Sequence, residues 1–286
     1  MHFGLIANLK RVGADETINA FVDWANKNGT ELTFCDDLKD SIAAHKRFLP
    51  RHELPQNVDI IVAMGGDGTI LAAARSVGSV GTPILGINLG SLGFLTQQTP
   101  SQLIPALDAI IAREYRIDER MLLKAEIAGQ GPLPMPYALN DIVLDNGPVS
   151  RVLDINLRIN GEDVVTYIAD GLIIATPTGS TAYNLAVGGP IVSPNMDAMI
   201  AAPIAPFSLT TRPMIIPGDA MLELTVFTDE HKAMLTLDGQ VGVELLDSQK
   251  VTISRAEFKS KFILFPENSY YKLLRSKLHW GVRPNP

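Results

Sequence analysis

The stretch that most restricts the fold is 60–75. Five apolar residues, Ile60-Ile61-Val62-Ala63-Met64, precede the turn Gly65-Gly66-Asp67-Gly68-Thr69, and Ile70-Leu71-Ala72-Ala73-Ala74-Arg75 follows it. A continuous apolar run bounded by glycine reads as a strand covered on both faces, the habit of parallel sheets. The alanine-rich segment after it reads as a helix. A glycine turn between strand and helix leaves backbone N–H groups unpaired, where the helix dipole favours an anion such as phosphate. The odd part is the acid. A carboxylate repels phosphate, so Asp67 points to either a metal ligand or a base acting on a hydroxyl beside the phosphate.

The first hundred residues continue the alternation. Strands are expected at 3–7, 31–35, 60–64 and 83–87, and helices at 15–28, 69–77 and 102–113. Residues 36–57 read as a helix plus a loop. This pattern predicts a Rossmann-like α/β domain, a parallel sheet with helices on both faces, over 1–114. After that the period changes. Strands are expected at 122–128, 137–144, 153–159, 163–168, 172–175, 221–227 and 233–237, and the dipeptides Asn160-Gly161 and Asp238-Gly239 suit type I′ hairpin turns. A β-rich sandwich is therefore predicted over 115–265. Residues 266–286 should hold a C-terminal helix, 269–278, and a tail that return to the first domain.

Composition excludes several classes. The net charge of -7 is the opposite of the basic face that a nucleic-acid binder shows, so no nucleic-acid partner is expected. No apolar run reaches the ~18 residues of a membrane-spanning helix, since Pro203 and Pro206 interrupt 199–209. There is one cysteine, Cys35, so neither an intrachain disulfide nor a thiolate zinc site is available. Cys35 reads as a buried structural thiol. With no basic start followed by an apolar run, these features predict a cytoplasmic protein.

Three further segments could carry chemistry. The run Asn88-Leu89-Gly90-Ser91-Leu92-Gly93-Phe94-Leu95-Thr96 follows the fourth strand, so it shares with the Gly65 turn the sheet edge where doubly wound folds bind ligands. Its plain reading is a loop anchored by Phe94 and Leu95. Asp170-Gly171 and Thr176-Pro177-Thr178-Gly179-Ser180-Thr181-Ala182-Tyr183 flank an apolar strand. Five hydroxyls in eight residues suit a sugar or a nucleobase edge, or else cap a short helix from Ser180. Asn140-Asp141 lies within a strand, where neighbours face opposite sides unless a bulge intervenes.

Taken in this order, these four sites resemble the NAD kinase family over about residues 58–245. The Gly65 turn alone is shared with diacylglycerol kinases, sphingosine kinases and phosphofructokinases; the 88–96, Asp170-Gly171 and 176–183 segments narrow the likeness. The resemblance implies an ATP-dependent enzyme that transfers the γ-phosphoryl group to the 2′-hydroxyl of the adenosine ribose of NAD, giving NADP. It implies Asp67 as general base and Gly68 against the same substrate. Gly65, Gly66, Gly68, Thr69 and Asn88 would form the phosphate-donor turn. Asn140 would hold a ribose, with Asp141 where the family usually has Glu. Arg151, Asp170, Thr178, Thr181, Ala182, Tyr183, Asn184, Leu185, Ala186, Ala205 and Gln240 would complete the NAD pocket. Ile168 falls where some members carry a basic residue. The resemblance also implies NAD and ATP as the partners, a divalent cation, Mg²⁺, carried with ATP rather than held by a protein metal site, and a homodimer or homotetramer. Two rival readings are a lipid or sphingoid kinase sharing the glycine turn, opposed by the net charge and the polar 176–183 run, and a non-catalytic NAD(P)-binding regulator, opposed by the presence of Asp67. The donor, ATP, another nucleotide or polyphosphate, stays open.

Overall fold

The computed structural model describes residues 1–40, 42, 47–90, 93–95, 98–147, 152–228 and 233–280. The chain divides into two compact units, Met1–Asp118 together with the chain from Lys261 onward, and Glu119–Ser260.

The first unit contains β1 (His2–Ala7), α1 (Ala14–Asn28), β2 (Glu31–Cys35), β3 (Phe48–Leu49), β4 (Ile60–Gly65), α2 (Asp67–Val77), β5 (Ile84–Asn88) and α3 (Leu103–Ile111). The strands lie in the order β5-β4-β1-β2-β3, every neighbouring pair parallel. All six residues of β4 are buried, as its unbroken apolar run requires. Phe3, Leu5, Ile60, Val62, Leu85 and Ile87 share one core cluster with Ile18, Phe21 and Trp24 of α1 and Leu107 of α3. α1 stops where Gly29, at φ +63°, turns its N–H back on the carbonyls of Ala25 and Asn26. The expected helix within 36–57 is not found among the described residues. Two single-turn 3-10 helices, Asp36–Leu38 and Leu54–Asn57, flank β3 instead. Pro50 and Pro55 each remove a backbone donor that a longer helix would need.

The second unit contains β6 (Arg116–Ile127), β7 (Tyr137–Ala138), β8 (Asp141–Asp145), β9 (Leu153–Ile159), β10 (Glu162–Ala169), β11 (Gly171–Ala175), α4 (Tyr183–Ala186), β12 (Ala198–Ile204), β13 (Met214–Pro217), β14 (Leu222–Phe227), β15 (Ala233–Leu237), β16 (Val241–Leu245) and most of β17 (Lys250–Leu264). One sheet runs β13-β12-β11-β8-β15-β16, antiparallel throughout. The other runs β10-β9-β14-β17, with β6 beside β17 and β7 beside β6. Leu144, Ile174 and Leu235 of the first sheet share a core with Leu157, Leu224 and Ile253 of the second, which makes the unit a β-sandwich.

Four details differ from expectation. The strand expected over 137–144 is broken at Leu139 and Asn140 into β7 and β8, because the Asp238 carboxylate takes the N–H groups that a ladder would use. β12 was hidden by Pro203. Its register with β13 spans only Ala198 to Ala201, so the missing donor of Pro203 falls beyond that ladder. β17 was hidden by its alternating charges, Arg255, Glu257 and Lys259, which occupy exposed positions between buried Ala256 and half-buried Phe258. The Asn160-Gly161 hairpin is the two-residue turn expected, with φ of 51° and 83° and Ile159 opposite Glu162. At Asp238-Gly239 φ is also positive at both positions, but the ladder resumes only at Val241, leaving Gln240 as an extra residue.

β17 leaves the second unit at Ser260. Phe262 is then in register with Ile84 of β5, and Ile263 and Phe265 enter the first unit's core. α5 (Tyr270–Leu278) follows, capped by Ser269 and burying Leu273 and Leu274. No described helix is long and apolar enough to cross a membrane.

Candidate active site

β4 and β5 end side by side, Gly65 opposite Asn88, so both glycine turns leave the carboxyl edge of the first unit's sheet. A β-carbon on Gly65 would lie 2.2 Å from Thr69 Oγ1, so only glycine fits there. Gly66 is extended and α2 begins at Asp67. The Asp67 carboxylate accepts the Phe94 N–H at 2.9 Å and the Leu95 N–H at 3.1 Å. Phe94 and Leu95, expected only as core anchors, thus bring their backbone to the acid. Asn88 is buried, and its Oδ1 accepts the Gly90 N–H at 2.7 Å. Ser91, Leu92 and Thr96 lie outside the described residues.

Beside this turn is a cavity of about 400 Å³ whose wall includes Lys10, Arg11, Arg51, Gly66, Gly68 and Thr69. The sequence reading missed the three cations. The signal available was the position of Lys10 and Arg11 just after β1, on the same sheet edge.

In the second unit, one carboxylate organises the Asn140 turn. Asp238 accepts the N–H groups of Leu139 at 3.0 Å, Asn140 at 2.7 Å and Asp141 at 3.2 Å. Asp141 starts β8 and is buried. Burial, then the nearby Asp238 charge, push its carboxyl up to about 7, against a bond from the Tyr183 N–H that lowers it. That bond ties β8 to the 176–186 segment. The Asn140 carbonyl accepts the Thr176 N–H at 2.8 Å, and a β-carbon on Gly179 would lie 2.0 Å from that same oxygen.

Four of the five hydroxyls of this segment, those of Thr176, Thr178, Ser180 and Thr181, already have protein partners, as their alternative reading as a helix-capping turn expects. Thr176 Oγ1 donates to the Leu139 carbonyl at 2.6 Å and accepts the Gly179 N–H at 3.0 Å. Ser180 Oγ donates to the Pro177 carbonyl at 2.6 Å and accepts the Val192 N–H at 3.1 Å. Thr181 Oγ1 donates to the Thr178 carbonyl at 3.2 Å. Thr178 Oγ1 accepts from Arg120 Nη1 at 3.2 Å. Arg120 is buried and was missed, although it falls in phase with buried Leu122 along β6. Asn184 is fully buried; its amide donates to the carbonyls of Ser180 and Pro190.

Of the other expected pocket residues, Tyr183 and Ala186 are exposed, while Ala182 and Leu185 are half-buried. Asp170 sits between β10 and β11, its N–H on the Ile204 carbonyl at 3.0 Å. Ala205 follows β12 with φ +43°, a conformation that non-glycine residues rarely hold. Gln240 is exposed at the β15–β16 hairpin, and Ile168 is exposed on β10. Arg151 lies outside the described residues.

Family models match both halves in order, the ATP-NAD kinase N-terminal domain over residues 3–115 and the ATP-NAD kinase C-terminal domain over residues 139–265. The chain is 37% identical over 285 residues to the NAD kinase of Magnetococcus marinus, covering 97% of this chain and 93% of that one. The chain belongs to the NAD kinase family. The NAD kinase of Geotalea daltonii is 41% identical over 234 residues, 82% of each chain. An NAD kinase from Archaeoglobus fulgidus, solved in complex with ATP, superposes with a TM-score of 0.80 at 26% identity, covering 98% of this chain and 99% of that one. Membership in the NAD kinase family spans both units, the one bearing the glycine turn and the one bearing Asn140 and the 176–186 segment.

Proposed function

We propose that Asp67 is the general base of this protein's phosphoryl transfer and that the Gly65–Thr69 turn holds the donor. The reaction is the ATP-dependent phosphorylation of NAD to NADP, in which the 2′-hydroxyl of the adenosine ribose attacks the γ-phosphorus of ATP. The O2′–P bond forms, the bond from the γ-phosphorus to the bridging oxygen breaks, ADP leaves, and the hydroxyl proton passes to a base. That hydroxyl is a weak nucleophile, so the protein's task is positioning, charge neutralisation and removal of one proton. The observation that carries the assignment is the placement of Asp67. It opens α2 on the glycine turn, half-buried, with its carboxylate held by two amides of the neighbouring turn. A carboxylate so fixed is oriented before any substrate arrives.

In this reading Asn140, Asp141, Asp170, Thr178 and the 181–186 segment bind NAD, with Arg151, Ala205 and Gln240 as further contacts. Support comes from the shared scaffold of Asp141, Asn140, Thr176 and Gly179 rather than from displayed hydroxyls. Mg²⁺ arrives with ATP. Among the described residues, the metal-ligand types found close together are Cys35, Asp36 and Asp37. They do not suit a resident cation, because burial pushes the Cys35 thiol up to about 11 and Asp37 is paired with Arg51. A cytoplasmic location fits the lone buried Cys35. A homodimer or homotetramer follows the family resemblance, and sedimentation tests it. The decisive assay incubates the protein with ATP, Mg²⁺ and either NAD, NADH or a sphingoid base. NADP formation is expected. Phosphorylation of the sphingoid base alone would replace this reading with the lipid-kinase one, and no transfer would leave only a binding protein.

A further inference from the structure

The chain passes outward through β1, β2 and β3, then returns on the other side of β1 as β4. Strand order therefore reverses between β1 and β4, and a crevice beyond the carboxyl ends of an open parallel sheet forms at such a point. The 400 Å³ cavity lies there, lined by residues 6–11 at the end of β1 and beyond it, and by Gly66, Gly68 and Thr69 after β4.

Its charge is unbalanced. The lining includes Lys10, Arg11 and Arg51 against one acid, Asp37. Asp37 is taken by Arg51, whose Nε donates to it at 3.0 Å, and that pairing holds its carboxyl below the usual carboxylate range. Lys10 and Arg11 are exposed, and neither side chain makes a hydrogen bond or ion pair among the described residues. Arg11 is nevertheless closely placed. A β-carbon on Gly66 would lie 3.3 Å from its Nη2, and one on Gly90 would lie 3.8 Å from its Nη1. One guanidinium thus covers the bare backbone of both glycine turns, while the nearby Asp67 carboxylate faces the Phe94 and Leu95 amides.

We propose that Arg11, reaching across both glycine turns, grips the phosphate chain of the donor. The proposal rests on the donor-turn reading above and names the residue and the chemistry that reading lacks. A planar fork of five N–H donors matches phosphate oxygens two at a time, and the start of α2 adds favourable dipole. A nucleoside triphosphate and an inorganic polyphosphate share this chemistry.

The test compares wild type, Arg11→Met and Arg11→Lys, with circular dichroism checking the fold. Calorimetry measures binding of ATP and of inorganic tripolyphosphate without NAD, and kinetics measure KM for ATP and for NAD. Arg11→Met should weaken ATP binding and raise KM for ATP roughly 10- to 100-fold, leaving KM for NAD unchanged, with Arg11→Lys between. Tripolyphosphate binding that weakens in parallel identifies the phosphate chain as the ligand. An Arg11 effect on ATP with no tripolyphosphate binding restricts the seat to nucleotides. Unchanged ATP affinity in Arg11→Met overturns the proposal. Wild type that binds ATP yet forms no NADP overturns the kinase reading instead, and the Arg11 comparison stands on binding alone.

Discussion

The Gly65–Thr69 turn and the 176–186 segment look alike in composition, both short, small and polar, yet they use their polar atoms in opposite ways. In the first, side-chain bulk is absent and backbone faces a cavity beside uncompensated cations. In the second, hydroxyls and an amide are turned inward onto carbonyls of their own segment and of Leu139. Small polar residues therefore border an open cavity in the one case and brace neighbouring backbone in the other. What separates them is whether neighbouring backbone needs the partners.

The largest test of that contrast is Asp67→Asn, which should cost ~10²–10⁴-fold in kcat while leaving the melting temperature and NAD binding close to wild type. Turnover near the wild-type rate would remove Asp67 as the base. Next is a glycine pair. Gly179→Ala forces a β-carbon against the Asn140 carbonyl and should destabilise the fold by about 1–3 kcal/mol, the range of an overpacked core, read as a lower urea midpoint. Gly68→Val, at an exposed position, should keep the midpoint and raise the Michaelis constants by steric block. Equal loss of stability in both would erase the distinction between site and frame.

Asp238→Ala should cost roughly 3 kcal/mol, since three consecutive amides lose their acceptor, and loosen Asn140 along with it. A pH-dependent effect of comparable size concerns Asp141. Its carboxyl is raised from 3.8 to about 7 in the folded state, so the folded protein binds that proton more tightly than the unfolded chain. The stability it contributes is fully present below the ordinary value and is lost as pH rises through about 7. Asp141→Asn should flatten stability across that window and stabilise the protein at higher pH. A stability curve unchanged by the substitution would show that Asp141 does not titrate there.

The sequence revealed the architecture where one physical signal dominated. The apolar run of β4 and the periodicity of α1 each announce a single structure. It misled where two signals competed. Pro203 concealed β12, because whether its missing donor matters depends on how far β13 extends. Leu139 and Asn140 read as strand because nothing local shows that a carboxylate nearly a hundred residues later will claim their amides. In the site, Asp67 and the glycines were legible from one contiguous motif. Arg11 and Arg120 were not, because each acquires its partner or its position only through strand adjacency. The resemblance assigned roles to positions, but it said nothing of which polar atoms the fold itself would occupy, such as Thr176 Oγ1 and Ser180 Oγ.

β17 also bears on the order in which the protein is made. The second unit is one continuous segment, residues 119–260, whose strands are complete but for the first residues of β6 and the last of β17. The first unit begins earlier but finishes later, since Phe262, Ile263, Phe265 and α5 belong to it and are synthesised after the sandwich. Nascent β5 therefore waits for β17 through the synthesis of the whole sandwich, its outer edge met meanwhile by the Ile87–Gln98 bridge, a long interval in which an under-paired edge invites wrong partners.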